Sequence, residues 1–227
     1  MCYKAVTLPK SLPDPTQWDQ LIDRYKSFRL LSLQLSPEAF GTSYAREVTF
    51  PLETWTSRLN NPIAFNTIIV SDPKPGSTDD LSLILNSEWL ASLTIVGPLE
   101  SKTAAKAYEE SVHFSPDSVN FGPPAIGVKS TYVLNAMYVL PSERRNGLAN
   151  MIIEYAKRLS VEMDGGKVTM ALIVDFDNVP ATKSYQKSGF KLVHDYWFDD
   201  PQSTEPRKKR AAVMRVDVDW RAIESTE

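Results

Sequence analysis

At 227 residues, with 42% hydrophobic and 23% charged content, the chain can bury a sizeable core and does not have the composition of a disordered protein. A net charge of −3 excludes the basic footprint of a general nucleic-acid binder. No stretch approaches the ~18 consecutive apolar residues of a membrane span, and the first residues lack the apolar core of a secretory signal. The single cysteine, Cys2, excludes an internal disulfide. A cytoplasmic protein is expected, with no membrane or nucleic-acid partner.

Asp14 and Pro15, with Gln17 at the third helical position, set a helix start. Trp18, Leu21, Ile22 and Tyr25 follow at helical spacing. Ser36-Pro37 repeats the opening, and residues 51–59 read as another short helix. Residues 64–72, rich in β-branched and aromatic side chains, predict a strand, 73–80 a turn-rich loop and 88–99 a second strand. Over 100–127 the pattern is mixed. Residues 101–112 suit a helix and 114–127 a loop, together an insertion or a lid over one face.

Residues 132–140 are apolar on both faces, as a strand inside a sheet requires, and Pro141 ends them. Leu148, Met151, Ile152, Tyr155, Ala156 and Leu159 then recur on one helical face. A Gly-Gly turn leads to 168–175, a second buried strand, so the three elements predict a right-handed βαβ unit with parallel strands. A short helix over residues 179–188 follows, then strands over 190–198 and 211–220. Between those strands the basic run 205–210 reads as a solvated hairpin loop. No linker divides the chain, so residues 1–227 are expected to form a single α/β domain.

The junction at residues 140–153 concentrates unusual residue types: Arg144, Arg145, Asn146 and Gly147 separate the strand from the amphipathic helix. A helix N-terminus leaves backbone N–H groups unpaired and carries partial positive charge, so it favours an anion. Gly147 removes a Cβ where a ligand must approach the backbone, Ala149 stays small beyond Leu148, and the arginines bring fork-shaped donors. The junction reads as a pyrophosphate cradle, the plainer alternative being a surface turn with solvated arginines. Neither G-x-G nor G-x-x-x-x-G-K-[ST] occurs, which excludes the two commonest phosphate loops.

Downstream, Asn178, Ala181, Tyr185, Lys187, Gly189 and Phe190 stand at N-x-x-A-x-x-x-Y-x-K-x-G-F spacing. Together with Arg144-x-x-Gly147-x-Ala149, this segment resembles the GNAT superfamily of acyl-CoA-dependent N-acyltransferases. The resemblance is firm over 128–198, and 36–59 is similar to helices of many small members. It implies a GNAT-like fold: a mixed, mostly antiparallel twisted sheet with a central parallel βαβ unit and flanking helices. It implies acetyl-CoA as cofactor, with pantetheine along the backbone of Met137, Tyr138 and Val139. The pyrophosphate would lie on the amides of Arg144, Arg145, Asn146, Gly147, Leu148 and Ala149. An amide near Val139 would polarise the thioester carbonyl. Asn178 would bond the pantetheine amide or cap the helix beginning at Val179. Tyr185 would contact the cofactor and act as general acid for the leaving thiolate.

The implied reaction is acetyl transfer to a primary amine of a small molecule, by direct attack through a tetrahedral intermediate. An amine on a protein, or a non-catalytic acyl-CoA-binding module on the same scaffold, are the competing readings, and a homodimer through the late strands is in keeping with the family. No base stands out among Asn135, His113, His194, Glu88 and Asp175. Two distant histidines and one cysteine offer no zinc spacing, so no metal is expected.

Overall fold

The computed structural model describes residues 2–72, 79–112, 119–123, 125–200, 203 and 205–219. Its fold is mixed α/β. The elements run β1 (Cys2–Thr7), α1 (Pro15–Leu35), α2 (Tyr44–Glu47), α3 (Leu52–Asn60), β2 (Ala64–Asp72), α4 (Asp80–Asn86) and β3 (Trp89–Glu100). They continue with α5 (Ala104–Val112), β4 (Ser130–Val139), α6 (Leu148–Asp164), β5 (Val168–Asp175), α7 (Val179–Lys187), β6 (Lys191–Asp199) and β7 (Lys208–Val218). Seven strands form one sheet in the order β1-β2-β3-β4-β5-β7-β6. The β4–β5 pair is parallel, whereas β1–β2, β5–β7 and β6–β7 are antiparallel. The predicted βαβ unit is therefore present, inside a mostly antiparallel sheet with flanking helices. No helix among the described residues is long and apolar enough to cross a membrane.

The chain divides into two compact units, Met1–Thr94 with Ala136–Ile152, and Ile95–Asn135 with Ile153–Glu227. In the first, Asp14 caps α1 by accepting from the Thr16 amide, and Pro15 sits at the first helical position as the sequence predicts. The helix stops at Ser36, whose backbone leaves the helical region before Pro37, a residue that disfavours helix in its predecessor. Leu21, Ile22, Trp55, Leu59, Ile68 and Val70 form the core between α1, α3 and the sheet, Leu21 and Trp55 being wholly buried.

The same unit buries a carboxylate. Glu47 of α2 accepts from Arg29 through Nη2 at 2.8 Å and Nε at 3.2 Å, and from Arg58 Nη1 at 2.7 Å. Burial opposes its ionisation, but the bonds and charges of the two arginines prevail and its pKa is lowered.

In the second unit Val168, Met170 and Ala171 of β5 and Val213 and Met214 of β7 are wholly buried. Gly97 is fixed by close approach: a Cβ there would lie 2.7 Å from Cδ1 of the buried Tyr132 ring. The described part of 100–127 is built into this core rather than laid over it. Ala104, Tyr108 and Phe121 are buried, the last two with ring centroids 6.0 Å apart, and Arg215 donates to the Phe121 and Pro123 carbonyls.

Other departures are local. Strand β1 and helix α4 are absent from the sequence reading, although Asp79 caps α4 by accepting from the Ser82 amide. Strand β7 begins at Lys208, so the end of the basic run is not a loop. Lys209 lies 3.5 Å from Asp175 and 3.7 Å from Asp200, and Arg210 donates to Asp195 at 2.7 Å while covering the Phe176 ring. Residues 73–78 and His113 lie outside the described residues.

Candidate active site

Strand β4 is interrupted where it matters. Its parallel ladder with β5 runs from Thr131↔Thr169 to Leu134↔Leu172, while β4 itself continues to Val139. Two residues past the ladder, Ala136 has φ +52°, a left-handed conformation unusual for a non-glycine residue in a strand. Beyond it, Tyr138 turns its ring into the α1 side, with centroids 5.8 Å from Phe28 and 6.1 Å from Phe40. Met137 and Val139 are half-buried.

After the 3-10 turn Pro141–Glu143, Arg145 and Gly147 take φ of +72° and +81°, and α6 begins at Leu148. Successive turns of this kind aim backbone N–H groups into a concavity. Gly147 closes the first helical turn by accepting from the Met151 amide at 3.0 Å. Among the described residues, the amides from Arg145 to Ala149 donate to no backbone carbonyl, so five successive donors are open at the helix start. A Cβ on Gly147 would meet no protein atom within 4 Å, so the backbone is open on that side of the glycine. The junction thus offers a run of open backbone donors around an uncovered glycine.

The two arginines differ. Arg144, which the sequence reading places on the pyrophosphate, has both its amide and its side chain engaged within the protein. Its amide donates to Pro141 at 3.4 Å, its Nη2 to the buried Ser36 hydroxyl at 2.7 Å and its Nε to the Val139 carbonyl at 3.4 Å. Arg144 is a brace between the end of β4 and the end of α1. Arg145 is also exposed, and among the described residues no hydrogen bond holds its guanidinium. Asn146 donates to Glu143 at 3.2 Å, and Tyr3 donates to the same oxygen at 3.4 Å.

In the second unit the downstream motif has a local reason for its spacing. Asn178 caps α7 by accepting from the Ala181 amide at 3.2 Å, one of the two roles expected of it. At the other end the Phe190 amide donates to the Tyr185 carbonyl at 3.0 Å and the Gly189 amide to Gln186 at 3.0 Å. With Gly189 at φ +83°, this is a Schellman stop, and Phe190 packs back on Tyr185 with centroids 5.8 Å apart. Lys157 of α6 donates to the Ser188 carbonyl at 2.6 Å and secures the stop. Tyr185 is 7% exposed, and burial first, then the neighbouring Tyr108, raises its pKa.

Of the base candidates, Asp175 is paired with Lys209 and accepts from the Asp177 amide. His194 stacks on Tyr196 at 6.1 Å. Asn135 is half-buried and Glu88 is exposed. Among the described residues no group of three or more His, Cys, Asp or Glu is arranged to hold a metal ion.

The first unit also holds a cleft that the sequence does not reveal. Tyr25, Phe28 and Arg29 of α1, Asn66 of β2, Trp89 and Thr94 of β3 and Ala136 of β4 line it. The Asn66 Oδ1 accepts from Thr94 at 2.9 Å and Tyr25 at 3.4 Å, while its Nδ2 donates to the Arg58 carbonyl at 3.2 Å.

Comparison with known proteins gives a consistent picture. Residues 104–190 match the model of the acetyltransferase (GNAT) family. The match opens at Ala104, inside the stretch read from sequence as an insertion, which agrees with the burial of Ala104 and Tyr108. No curated protein matches the chain in sequence. Among solved structures, Arabidopsis thaliana NAA60 in complex with acetyl-CoA superposes with a TM-score of 0.57 at 13% identity, covering 96% of this chain and 99% of that one. A GNAT-family acetyltransferase from Streptococcus pneumoniae gives 0.57 at 12% identity, with 96% and 99% covered. The Vibrio cholerae spermidine N-acetyltransferase in complex with CoA and spermine gives 0.51 at 11% identity, with 95% of each chain covered. At such identities the likeness establishes the shared fold.

Proposed function

We propose, from the match of residues 104–190 to the acetyltransferase (GNAT) family model, that this chain transfers the acetyl group of acetyl-CoA to a primary amine of a small molecule. The observation that carries the reading is the run of open amides from Arg145 to Ala149 around Gly147, at the start of α6. Those amides and the Arg145 guanidinium hold the pyrophosphate, and Arg144 keeps the loop in place through Ser36 and Val139. The backbone of Met137, Tyr138 and Val139, past the end of the β4–β5 ladder, receives the pantetheine arm as an added strand. An amide near Val139 faces the thioester oxygen.

Bound, acetyl-CoA supplies an acyl thioester: the acceptor nitrogen bonds to its carbonyl carbon as the carbon–sulfur bond breaks, the nitrogen loses a proton to solvent and the sulfur gains one. Tyr185 serves the departing sulfur. From reference values, complete proton transfer from a phenol near 10 to a thiolate near 8.5 is already uphill by about 2 kcal/mol. Burial of Tyr185 adds to that difference. Tyr185 therefore works as a neutral hydrogen-bond donor to sulfur, with the net proton arriving from water.

Calorimetry with coenzyme A and thiol release from acetyl-CoA with a panel of amines test the reading. Uptake of coenzyme A with turnover supports it. Uptake without thiol release across the panel would make the chain a binding module, and no uptake at all removes the proposal.

A further inference from the structure

Between the end of β4 and the start of α6 the chain carries one acidic side chain, Glu143. Its Oε2 accepts from two donors, Asn146 Nδ2 at 3.2 Å and the Tyr3 hydroxyl at 3.4 Å. Asn146 lies between Arg145 and Gly147, both left-handed, and its backbone supplies one of the five open amides. A left-handed conformation is unfavourable for a residue with a Cβ, so the turn at Arg145 has to be held from outside. The Asn146–Glu143 bond spans that turn. The Tyr3 bond fastens it to β1, where Tyr3 pairs with Ser71 of β2. Among the described residues Glu143 forms no ion pair, so no cation neutralises its carboxylate at contact distance. A negative charge therefore sits within one side chain's length of the Asn146 amide.

We infer that Glu143 is a positioning residue that also tempers affinity: it holds the loop in the shape that accepts a diphosphate, and its charge weakens the hold on that diphosphate. This rests on the acetyltransferase reading for the identity of the anion. Acetyl-CoA and the coenzyme A left after transfer carry the same diphosphate, so the repulsion acts on both. It raises the KM for acetyl-CoA and hastens departure of the product, a step that limits many enzymes. The two effects can be separated, because a glutamine oxygen can accept the same two bonds without the charge.

The test is calorimetric titration of the full chain with coenzyme A over a range of salt. Near physiological salt, Glu143→Gln is expected to bind about threefold tighter than the parent, and the gain should widen at low salt. At about 1 M salt, where screening leaves a reach of only about 3 Å, the Gln variant and the parent should coincide. Glu143→Ala and Tyr3→Phe, which break the ties, should there bind several-fold weaker than both, because geometry alone remains. In turnover the Gln variant should lower the KM for acetyl-CoA by the same factor, with no rise in kcat. Tyr3 and Glu143 are only half-buried, so each variant should melt within a few degrees of the parent. A Gln variant that tracks the parent at every salt concentration, or Ala and Phe variants with parental affinity at high salt, would overturn the inference. Absence of coenzyme A uptake by the parent removes the acetyltransferase reading and this inference with it, whereas parental uptake with unmoved variants removes the inference alone.

Discussion

Arg144 donates through Nη2 to the hydroxyl of Ser36 across 2.7 Å, joining residues 108 positions apart and linking the loop before α6 to the end of α1. Ser36 is 1% exposed while Arg144 is exposed, so the bond is buried at its hydroxyl end alone. Ser36→Ala should cost about 1 kcal/mol of stability, the net value of one hydrogen bond, because water can still reach the exposed Arg144 guanidinium. It should also weaken coenzyme A binding several-fold without touching an open amide. Urea denaturation and calorimetry on the same sample measure both.

Gly147→Asp separates fold from binding. Aspartate tolerates the left-handed region better than most residues and is a good helix cap, and a Cβ at this position meets no protein atom within 4 Å. The melting temperature should shift by only a few degrees. The added negative charge in front of the open amides should raise the Kd for coenzyme A by about 100-fold, or ~2.7 kcal/mol. Normal binding by this variant would locate the pyrophosphate elsewhere.

The buried triad sets the acid limb of stability. The folded-state pKa of Glu47 is lowered, so its contribution is present above the unfolded carboxylate value, near 4.3, and is lost as pH falls through the folded value. Glu47→Gln leaves two guanidiniums facing a neutral amide and should cost about 3–5 kcal/mol at pH 7. The deficit relative to the parent should shrink in denaturation curves taken progressively below pH 4.

Tyrosines set the alkaline limb. Burial raises Tyr132 and Tyr196 to about 12, and raises Tyr108 and Tyr185 as well. Their stabilising contribution is complete below the unfolded phenol value, about 10, and is lost as pH climbs above it. Phenolate absorbance should therefore appear together with loss of tertiary circular dichroism. Turnover should show no fall below pH 10 from ionisation of Tyr185, and Tyr185→Phe, which removes the hydrogen-bond donor to sulfur, should lower kcat by about 10²-fold where chemistry limits the rate.

Gly97→Ala would place a methyl 2.7 Å from the Tyr132 ring. Overpacking of this kind costs about 1–3 kcal/mol, read as a lower melting temperature with unchanged coenzyme A affinity.

Elements with long periodic patterns were legible in the sequence. The apolar stripe from Leu148 to Leu159 is α6, and the runs 64–72 and 168–175 match β2 and β5 residue for residue. Strand β1 is six residues of mixed character at a sheet edge, and α4 has seven residues, too few to establish a period. The turn before α6 was legible because glycine and arginine mark it, but two adjacent arginines look alike in sequence. Both are exposed, and only the fold ties the Arg144 side chain to Ser36 and Val139. The Tyr185–Gly189–Phe190 spacing was legible as a motif, whereas its helix-stop geometry was not. The cleft could not be read at all, since Arg29, Asn66, Thr94 and Ala136 meet through packing across more than 100 positions.

The left-handed residue in mid-β4 has a further consequence, for solubility. A straight stretch of strand left without a ladder is a template on which another chain can add itself, and such addition seeds aggregates. Ala136 bends the backbone two residues beyond the last β4–β5 partner, so a regular neighbouring strand cannot stay in register along this stretch. The kink thereby limits edge-to-edge addition of another chain along this stretch.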